Sequence, residues 1–112
     1  MGPFSGEIIV KALEGLNARM AVAAENIANG GTPGYRPLRV SFEDALAEAA
    51  RKDVGAVRAV KPQITEAPRA DGGVRLDLEL ATDSATASRY SALVEVLNRE
   101  FALLSVAGSG NA

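Results

Sequence analysis

Apolar residues recur at intervals of three and four along two long stretches of this chain, one near each end. The first stretch covers residues 6–29, where one helical face would carry Ile9, Leu13, Leu16, Met20, Ala23 and Ile27. This heptad spacing predicts an amphipathic helix whose apolar stripe packs on another helix. Ser5 is the predicted N-cap, and residues 29–31 tolerate the left-handed conformation that ends a helix before Pro33.

The second stretch covers residues 77–107 and keeps the same alternation throughout. Its predicted seam consists of Leu80, Asp83, Ala87, Tyr90, Val94, Leu97, Phe101 and Leu104, and Leu93, Val96 and Leu103 widen it. A helix of about 45 Å results. A single partner helix would cover only one apolar stripe of this C-terminal helix. The apolar residues outside that stripe therefore favour packing against other chains.

Between these helices a shorter one, of about three turns, is predicted for residues 41–52. Ser41 and Asp44 have the spacing of a capping box, and Phe42 and Leu46 are its large apolar residues. The acidic pairs Glu43-Asp44 and Asp77/Glu79 are assigned to helix starts, where the helix dipole favours negative charge.

Residues 53–73 carry prolines and glycines that interrupt short β-leaning pieces at 57–60 and 63–65. We expect an extended, partly disordered linker with at most one hairpin, ordered mainly by its neighbours. The predicted fold is therefore mostly α: long N- and C-terminal helices pair as an antiparallel coiled-coil-like unit around a short middle helix and this linker. The predicted parts are residues 1–36, 37–73 and 74–112.

The amino-acid composition argues against several classes of function. The chain has 112 residues, 12 basic and 14 acidic, a net charge of −2, and neither cysteine nor histidine. The balanced charge argues against binding to nucleic acid or a membrane surface. Without cysteine or histidine, thiol catalysis, the commonest general base and the commonest metal ligand are excluded. We expect no enzyme activity, no cofactor and no metal.

One pattern is Asn-Ile-Ala-Asn, two residues, then Thr-Pro-Gly-Tyr at positions 26–35, in which Pro33 and Gly34 fit a type II turn. It resembles the N-terminal signature of bacterial flagellar axial proteins, the rod, hook and hook-associated subunits. A second pattern begins with Val74, Leu76, Asp77, Glu79 and Ala81 and continues to Leu104, and it resembles the FlgB type of proximal rod protein more than the FlgC type. The motif residues assigned to assembly are Asn26, Ile27, Asn29, Thr32, Pro33, Gly34, Tyr35, Arg89, Tyr90, Leu93, Leu97, Asn98, Phe101 and Leu104.

The resemblance implies a structural subunit of the flagellar basal body, in the periplasmic rod. Such proteins are exported unfolded by the flagellar type III apparatus without a cleaved signal peptide, and their terminal helices pair in the wall of a hollow tube. The implied partners are copies of the chain, rod proteins of the FlgC and FlgF types, the adaptor FliE, the MS ring and the export gate.

Two alternatives stay open. The chain could be a FlgC-type rod subunit, or a soluble helical adaptor or export chaperone that forms a stable dimer. Several motif residues also have simpler explanations. The corner at 26–35 could be only a helix end and a turn. Tyr90 could be a core residue beside a solvated Arg89.

Overall fold

The computed structural model describes residues 2, 4–68 and 73–110 and is mostly helical. In chain order it contains α1 (Ser5–Ala28), β1 (Leu38–Ser41), α2 (Glu43–Ala50), α3 (Val54–Ala59), β2 (Gln63–Glu66) and α4 (Leu76–Gly110). The molecule measures 63 × 26 × 14 Å, with a radius of gyration of 17.4 Å. A compact domain of this length would have about 13 Å, so the chain is elongated along its two long helices.

The N-terminal helix forms as predicted, but both of its ends differ from expectation. Phe4, with φ 46°, is the N-cap, and Ser5 is the first helical residue. The Ser5 hydroxyl donates to Glu100 Oε1 on α4 instead of capping α1. At the other end Asn29 is the C-cap with φ −102°, so the expected left-handed stop does not occur. Asn29 Nδ2 donates to the Glu25 carbonyl at 2.9 Å and satisfies a terminal backbone group.

The predicted stripe of α1 is only part of its buried surface. Ile9, Leu16 and Ala23 are buried as expected, while Leu13, Met20 and Ile27 are partly buried. Three residues outside the stripe, Gly15, Val22 and Asn26, are also buried. The helix therefore packs on more than one side, because both α4 and the middle of the chain cover it.

The middle of the chain is more ordered than predicted. Residues 54–59 form α3 rather than an extended piece, and Asp53 caps it by accepting from the Ala56 N–H at 2.7 Å. Gln63–Glu66 is a strand, as its β-leaning sequence suggested, and pairs antiparallel with β1. Val57 is completely buried in the core, so tertiary packing overrides the β propensity of this segment. Residues 69–72 of the expected linker lie outside the described residues.

Helix α2 is shorter than predicted, about two turns, and it lacks the predicted capping box. Ser41 belongs to β1, and Phe42 is the N-cap without a side-chain hydrogen bond. Strand pairing of Ser41 with Gln63 therefore replaces the capping role. The burial of Phe42 and Leu46 is confirmed. They join one apolar core with Leu16, Val22, Val40, Ala49 and Val57.

Helix α4 spans 35 residues, and its predicted seam has the wrong phase in the first half. Leu80 and Ala87 are exposed, whereas Glu79 and Thr86 are buried. The reason is a polar contact: Glu79 hydrogen-bonds Asn26 of α1 and turns that side of the helix inward. Further along, Tyr90, Leu93 and Leu97 are partly buried, while Phe101 and Leu104 are exposed.

Candidate functional site

The first motif has a buried asparagine at its centre. Asn26 has no exposed surface, and its amide makes four hydrogen bonds. Oδ1 accepts from the Tyr35 hydroxyl and the Leu38 N–H, both at 2.8 Å. Nδ2 donates to the Leu38 carbonyl at 3.0 Å and to Glu79 Oε2 at 3.1 Å. An amide group has two donors and two acceptor positions, so every one of them is occupied.

Glu79 continues this network, which we call the Asn26 corner (Asn26, Tyr35, Leu38, Arg39 and Glu79). The Glu79 residue is only 4% exposed, and its Oε1 accepts from Arg39 Nη1 at 2.8 Å. Arg39 Nη1 also donates to the Leu38 carbonyl at 3.0 Å. The buried carboxylate is thus paired with a cation and hydrogen-bonded at both oxygens, as a buried charge requires.

The turn after α1 brings Tyr35 into the corner. The Tyr35 N–H donates to the Thr32 carbonyl at 3.1 Å, and Gly34 has φ 79°. Both features confirm the predicted type II turn. Desolvation, followed by the nearby Glu25 and Glu79 carboxylates, raises the pKa of Tyr35 above its ordinary value of 10.0. The hydroxyl is protonated at neutral pH even without this shift, and it donates to Asn26.

The other motif residues do not join this network. Thr32, Pro33 and Gly34 are exposed at the surface of the turn, and Ile27 is partly buried. Arg89 and Asn98 are exposed on α4. The Tyr90 and Leu93 side chains pack against the apolar core, in agreement with the simpler explanation of Tyr90. The structure therefore joins Asn26 and Tyr35 of the first pattern to Glu79, which belongs to the second pattern and which sequence reasoning had also assigned to a helix start.

A second polar cluster lies where α1 meets α2. The Arg19 guanidinium sits 5.0 Å from the centre of the Phe42 ring and binds Glu43 through two hydrogen bonds, of 2.7 and 2.8 Å. It also donates to the Val40 carbonyl at 2.8 Å. The hydrogen bonds from Arg19 lower the pKa of Glu43 to about 2. A Cβ at Gly15 would overlap the Phe42 ring, which explains a glycine within this helix.

The last ten residues of α4, residues 101–110, follow Glu100, whose carboxylate accepts from Ser5 at the start of α1, and we call them the overhang. Its large apolar side chains are exposed: Phe101 57%, Leu104 63%, and Leu103 and Val106 70% each. Phe101 and Leu104 border a groove of about 550 Å³ that Phe4 and Val10 of the N-terminal part also line. Residues 101–108 contain no charged side chain, so this helix end presents apolar surface without charged groups of its own.

One polar atom beside the groove is unsatisfied. Glu100 lines the groove, and its Oε2 is buried without a hydrogen-bond partner among the described residues, while Oε1 accepts from Ser5. A buried acceptor without a partner is costly, because it has lost its hydrogen bonds to water. Glu7, Lys11 and Arg58 line the groove as well, so its walls combine apolar side chains with charges of both signs.

Within residues 2, 4–68 and 73–110 there is no group of His, Cys, Asp and Glu side chains placed to hold a metal ion. No helix in the same part of the chain is both long and apolar enough to cross a membrane. Comparison with known proteins adds no identification: no protein-family model, curated protein or solved structure matches the sequence.

Proposed function

We propose that this chain is a structural subunit of the proximal rod of the bacterial flagellum, of the FlgB type. It polymerises through its terminal helices and helps to transmit torque between the membrane ring with its export gate and the drive shaft. One observation carries the proposal. Asn26 and Tyr35 from the first axial-type pattern meet Glu79 from the second at a single buried corner. The two patterns thus form one structural unit.

The arrangement of the long helices supports the same proposal. Ser5, at the start of α1, contacts Glu100 near the end of α4, and Asn26, near the end of α1, contacts Glu79 at the start of α4. We propose that α1 and α4 pair in antiparallel fashion as the coiled-coil-like unit expected for axial subunits. The exposed overhang then supplies apolar surface for neighbouring subunits.

The choice of the FlgB type over the FlgC type rests on the sequence of α4. Arg89-Tyr90 and the spacing of Leu97, Asn98 and Phe101 follow the FlgB pattern. The proposed partners are further copies of the chain, rod proteins of the FlgC and FlgF types, FliE, the MS ring and the export gate. The proposed location is the periplasmic rod, reached by type III export.

Electron microscopy of basal bodies from a strain that lacks this gene tests the proposal, with a complemented strain as the control. We expect membrane rings without a rod in the deletion strain and complete basal bodies after complementation. Complete flagella on the deletion strain would overturn the proposal.

A soluble helical adaptor or export chaperone is the second candidate, and the exposed overhang is the observation that favours it. Its four apolar side chains could be covered in a stable dimer. Light scattering after size exclusion separates the candidates: the adaptor is a dimer at low micromolar concentration, whereas the rod subunit is a monomer there. A concentration-independent dimer together with normal flagella on the deletion strain would favour the adaptor.

A further inference from the structure

The junction between α1 and the turn that follows it is an Asn-Gly pair, Asn29 and Gly30. No other asparagine in this sequence is followed by glycine. Asparagine is among the thermolabile residues of proteins. A glycine after it has no side chain to hinder the attack of its backbone nitrogen on the asparagine side chain. Asn29 is half-buried and Gly30 is exposed, so water reaches the pair.

We propose that Asn29-Gly30 is a site of spontaneous deamidation and that the fold holds it in an unreactive conformation. In the reaction the Gly30 nitrogen loses its proton and bonds to Cγ of Asn29, and Nδ2 leaves as ammonia. Water then opens the resulting imide ring at one of its two carbonyl carbons. Opening at Cγ gives aspartate, and opening at the backbone carbonyl carbon gives isoaspartate. One water is consumed, one ammonia is released, and nothing is oxidised or reduced.

The backbone conformation of Asn29 opposes ring closure. Its ψ is 5°, so the Gly30 nitrogen nearly eclipses the backbone nitrogen of Asn29. Substituents of a tetrahedral carbon are about 120° apart, so the attacking nitrogen is turned about 120° away from Cβ, which carries the amide. Closing the five-membered ring needs the nitrogen and Cβ on the same side. Asn29 must therefore rotate about ψ before the nitrogen comes within about 3–3.5 Å of Cγ in an aligned position.

Three hydrogen bonds hold Asn29 in this conformation. Its N–H and its Nδ2 both donate to the Glu25 carbonyl, at 3.0 and 2.9 Å, which draws the side chain back along α1. The Gly30 N–H donates to the Ile27 carbonyl at 3.3 Å. Attack by Gly30 requires the last turn of α1 to open, since these bonds fix both the nucleophile and the amide. The reaction is therefore slow in the folded chain and fast in the unfolded chain.

Either product weakens the end of α1 beside the Asn26 corner. Aspartate at position 29 lacks the donor to the Glu25 carbonyl, and the helix dipole disfavours a negative charge at this end. Isoaspartate adds one methylene to the backbone. Little space is open there, because a Cβ on Gly30 would lie 3.3 Å from both the Asn26 carbonyl oxygen and Val74 Cγ1. The reaction thus alters chains that stay unfolded and makes them poorer at closing the corner.

Mass spectrometry measures the reaction at Asn29, because deamidation raises the mass of the peptide that carries it. The natural chain is incubated at neutral pH in buffer and, separately, in denaturing guanidinium chloride. Fragmentation separates Asn29 from Asn26, which lies on the same tryptic peptide. Asn98, exposed on α4 and followed by Arg99, is the internal reference in both solvents.

Relative to Asn98, we expect Asn29 to deamidate at least fivefold faster in denaturant than in buffer. Equal relative rates in the two solvents would overturn the protection by the fold. A rate at Asn29 no higher than that at Asn98 in denaturant would overturn the site itself.

Two glycine variants test the attacking atom, and both are compared in denaturant so that their folding does not matter. Gly30→Ala should slow the reaction at Asn29 at least fivefold, because the added methyl group hinders the attack. Gly31→Ala is the matched control and should leave the rate unchanged, since the Asn-Gly link is intact. Equal rates in the two variants would overturn the role of the Gly30 nitrogen.

Refolding tests the effect of the products. The chain is incubated in denaturant until part of Asn29 has reacted, diluted into buffer and treated briefly with thermolysin, which digests unfolded molecules preferentially. A sample kept on ice in denaturant is the control and should survive. We expect the surviving protein to carry at least threefold less modified residue 29 than the sample before digestion. The same modified fraction before and after digestion would overturn the effect on the corner. The reaction involves only this chain and water, so these outcomes do not depend on the rod assignment.

Discussion

Asn26 and Glu79 lie 53 positions apart in the sequence and share a buried hydrogen bond of 3.1 Å. The amide of Asn26 donates to one oxygen of Glu79, and Arg39 donates to the other. Because Asn26 also binds both backbone groups of Leu38, this one side chain connects α1, β1 and α4. The contact makes the stability of the helix pair depend on a polar corner.

Asn26→Asp should therefore lower the free energy of unfolding by about 3–5 kcal/mol. The change removes the donors to Leu38 and Glu79 and places a second carboxylate beside a buried one. Urea unfolding at neutral pH measures the effect. Asn98→Asp, at an exposed position on α4, is the matched control and should change stability by about 0.5 kcal/mol or less. Similar losses in both variants would contradict the role of the corner.

Gly15→Ala should lower stability by about 1–3 kcal/mol, although alanine is the better helix former. The added methyl group would overlap the Phe42 ring, which must shift together with Arg19 above it. Gly6→Ala is the control, because a Cβ there meets only Glu100 Oε2 at 4.0 Å. It should be neutral or stabilising by up to about 1 kcal/mol. The midpoint of thermal unfolding should therefore fall clearly in Gly15→Ala and stay the same or rise in Gly6→Ala. Equal shifts in the two variants would show that the Phe42 ring moves aside for the added methyl group at little cost.

Gly34→Val should lower stability by about 1–3 kcal/mol and impair assembly, because φ 79° is strained for a β-branched residue. A Cβ at Gly34 meets nothing within 4 Å, so any cost comes from the backbone alone. Gly31→Val is the control, since Gly31 is also open and lacks a positive φ. Urea unfolding and swimming assays compare the two. Unchanged behaviour of Gly34→Val would contradict the type II turn.

The pair of Arg19 and Glu43 should give part of the acid sensitivity of the fold. The pKa of Glu43 is lowered from 4.5 to about 2 in the folded chain. Its stabilisation is therefore complete above pH 4.5 and is lost as the pH falls toward 2. Since half of the Glu43 side chain is exposed, we expect about 1 kcal/mol or less.

Urea midpoints at pH 6 and pH 3 check this expectation. Glu43→Gln should lose less stability than the natural chain between these two pH values. Glu48→Gln, which removes an exposed contact with Arg51, should behave like the natural chain. An identical pH dependence of the natural chain and Glu43→Gln would rule out the contribution of this pair.

Leu97 and Phe101 should separate folding from assembly. Leu97→Asp places a charge in a partly buried seam and should lower single-chain stability by about 1–3 kcal/mol. Phe101→Asp changes a side chain that is 57% exposed, so it should change single-chain stability by no more than about 0.5 kcal/mol. Both variants should abolish swimming, whereas Ser91→Asp on the exposed side of α4 should not. Normal swimming with Phe101→Asp would remove the overhang from the assembly surface.

Much of this fold follows from local patterns, and the errors have physical causes. The two long helices were predictable because their heptad spacing extends over many turns. Helix α3 was not, because Val57 favours a strand locally and becomes helical only by packing in the core. Similarly, Ser41 belongs to β1 and pairs with Gln63 of β2, so the capping box that its spacing predicted does not form.

The Asn26 corner was half predictable. The first pattern contained both Asn26 and Tyr35. They lie nine positions apart, one near the end of α1 and the other in the turn that follows it. Their partner Glu79 belonged to the second pattern, but its burial had no local signal, since an acid in the first turn of a helix is ordinary. Its burial depends on Arg39, 40 positions away, and no spacing rule connects them. The phase of α4 was wrong for the same reason, because a polar contact fixes its rotation.

The partners of Asn26 also imply an order of folding. Tyr35 is nine positions away, Leu38 is twelve and Glu79 is 53. Closing the longest of these loops costs about 1.6 kcal/mol more entropy than closing the shortest. We expect the nearby contacts to form first and the contact with Glu79 last, which slows the pairing of the long helices. In a chain whose N-terminal residues become available for folding first, the turn at residues 32–35 can therefore form early. The pairing of α1 with α4 is completed only after residue 79 is also available.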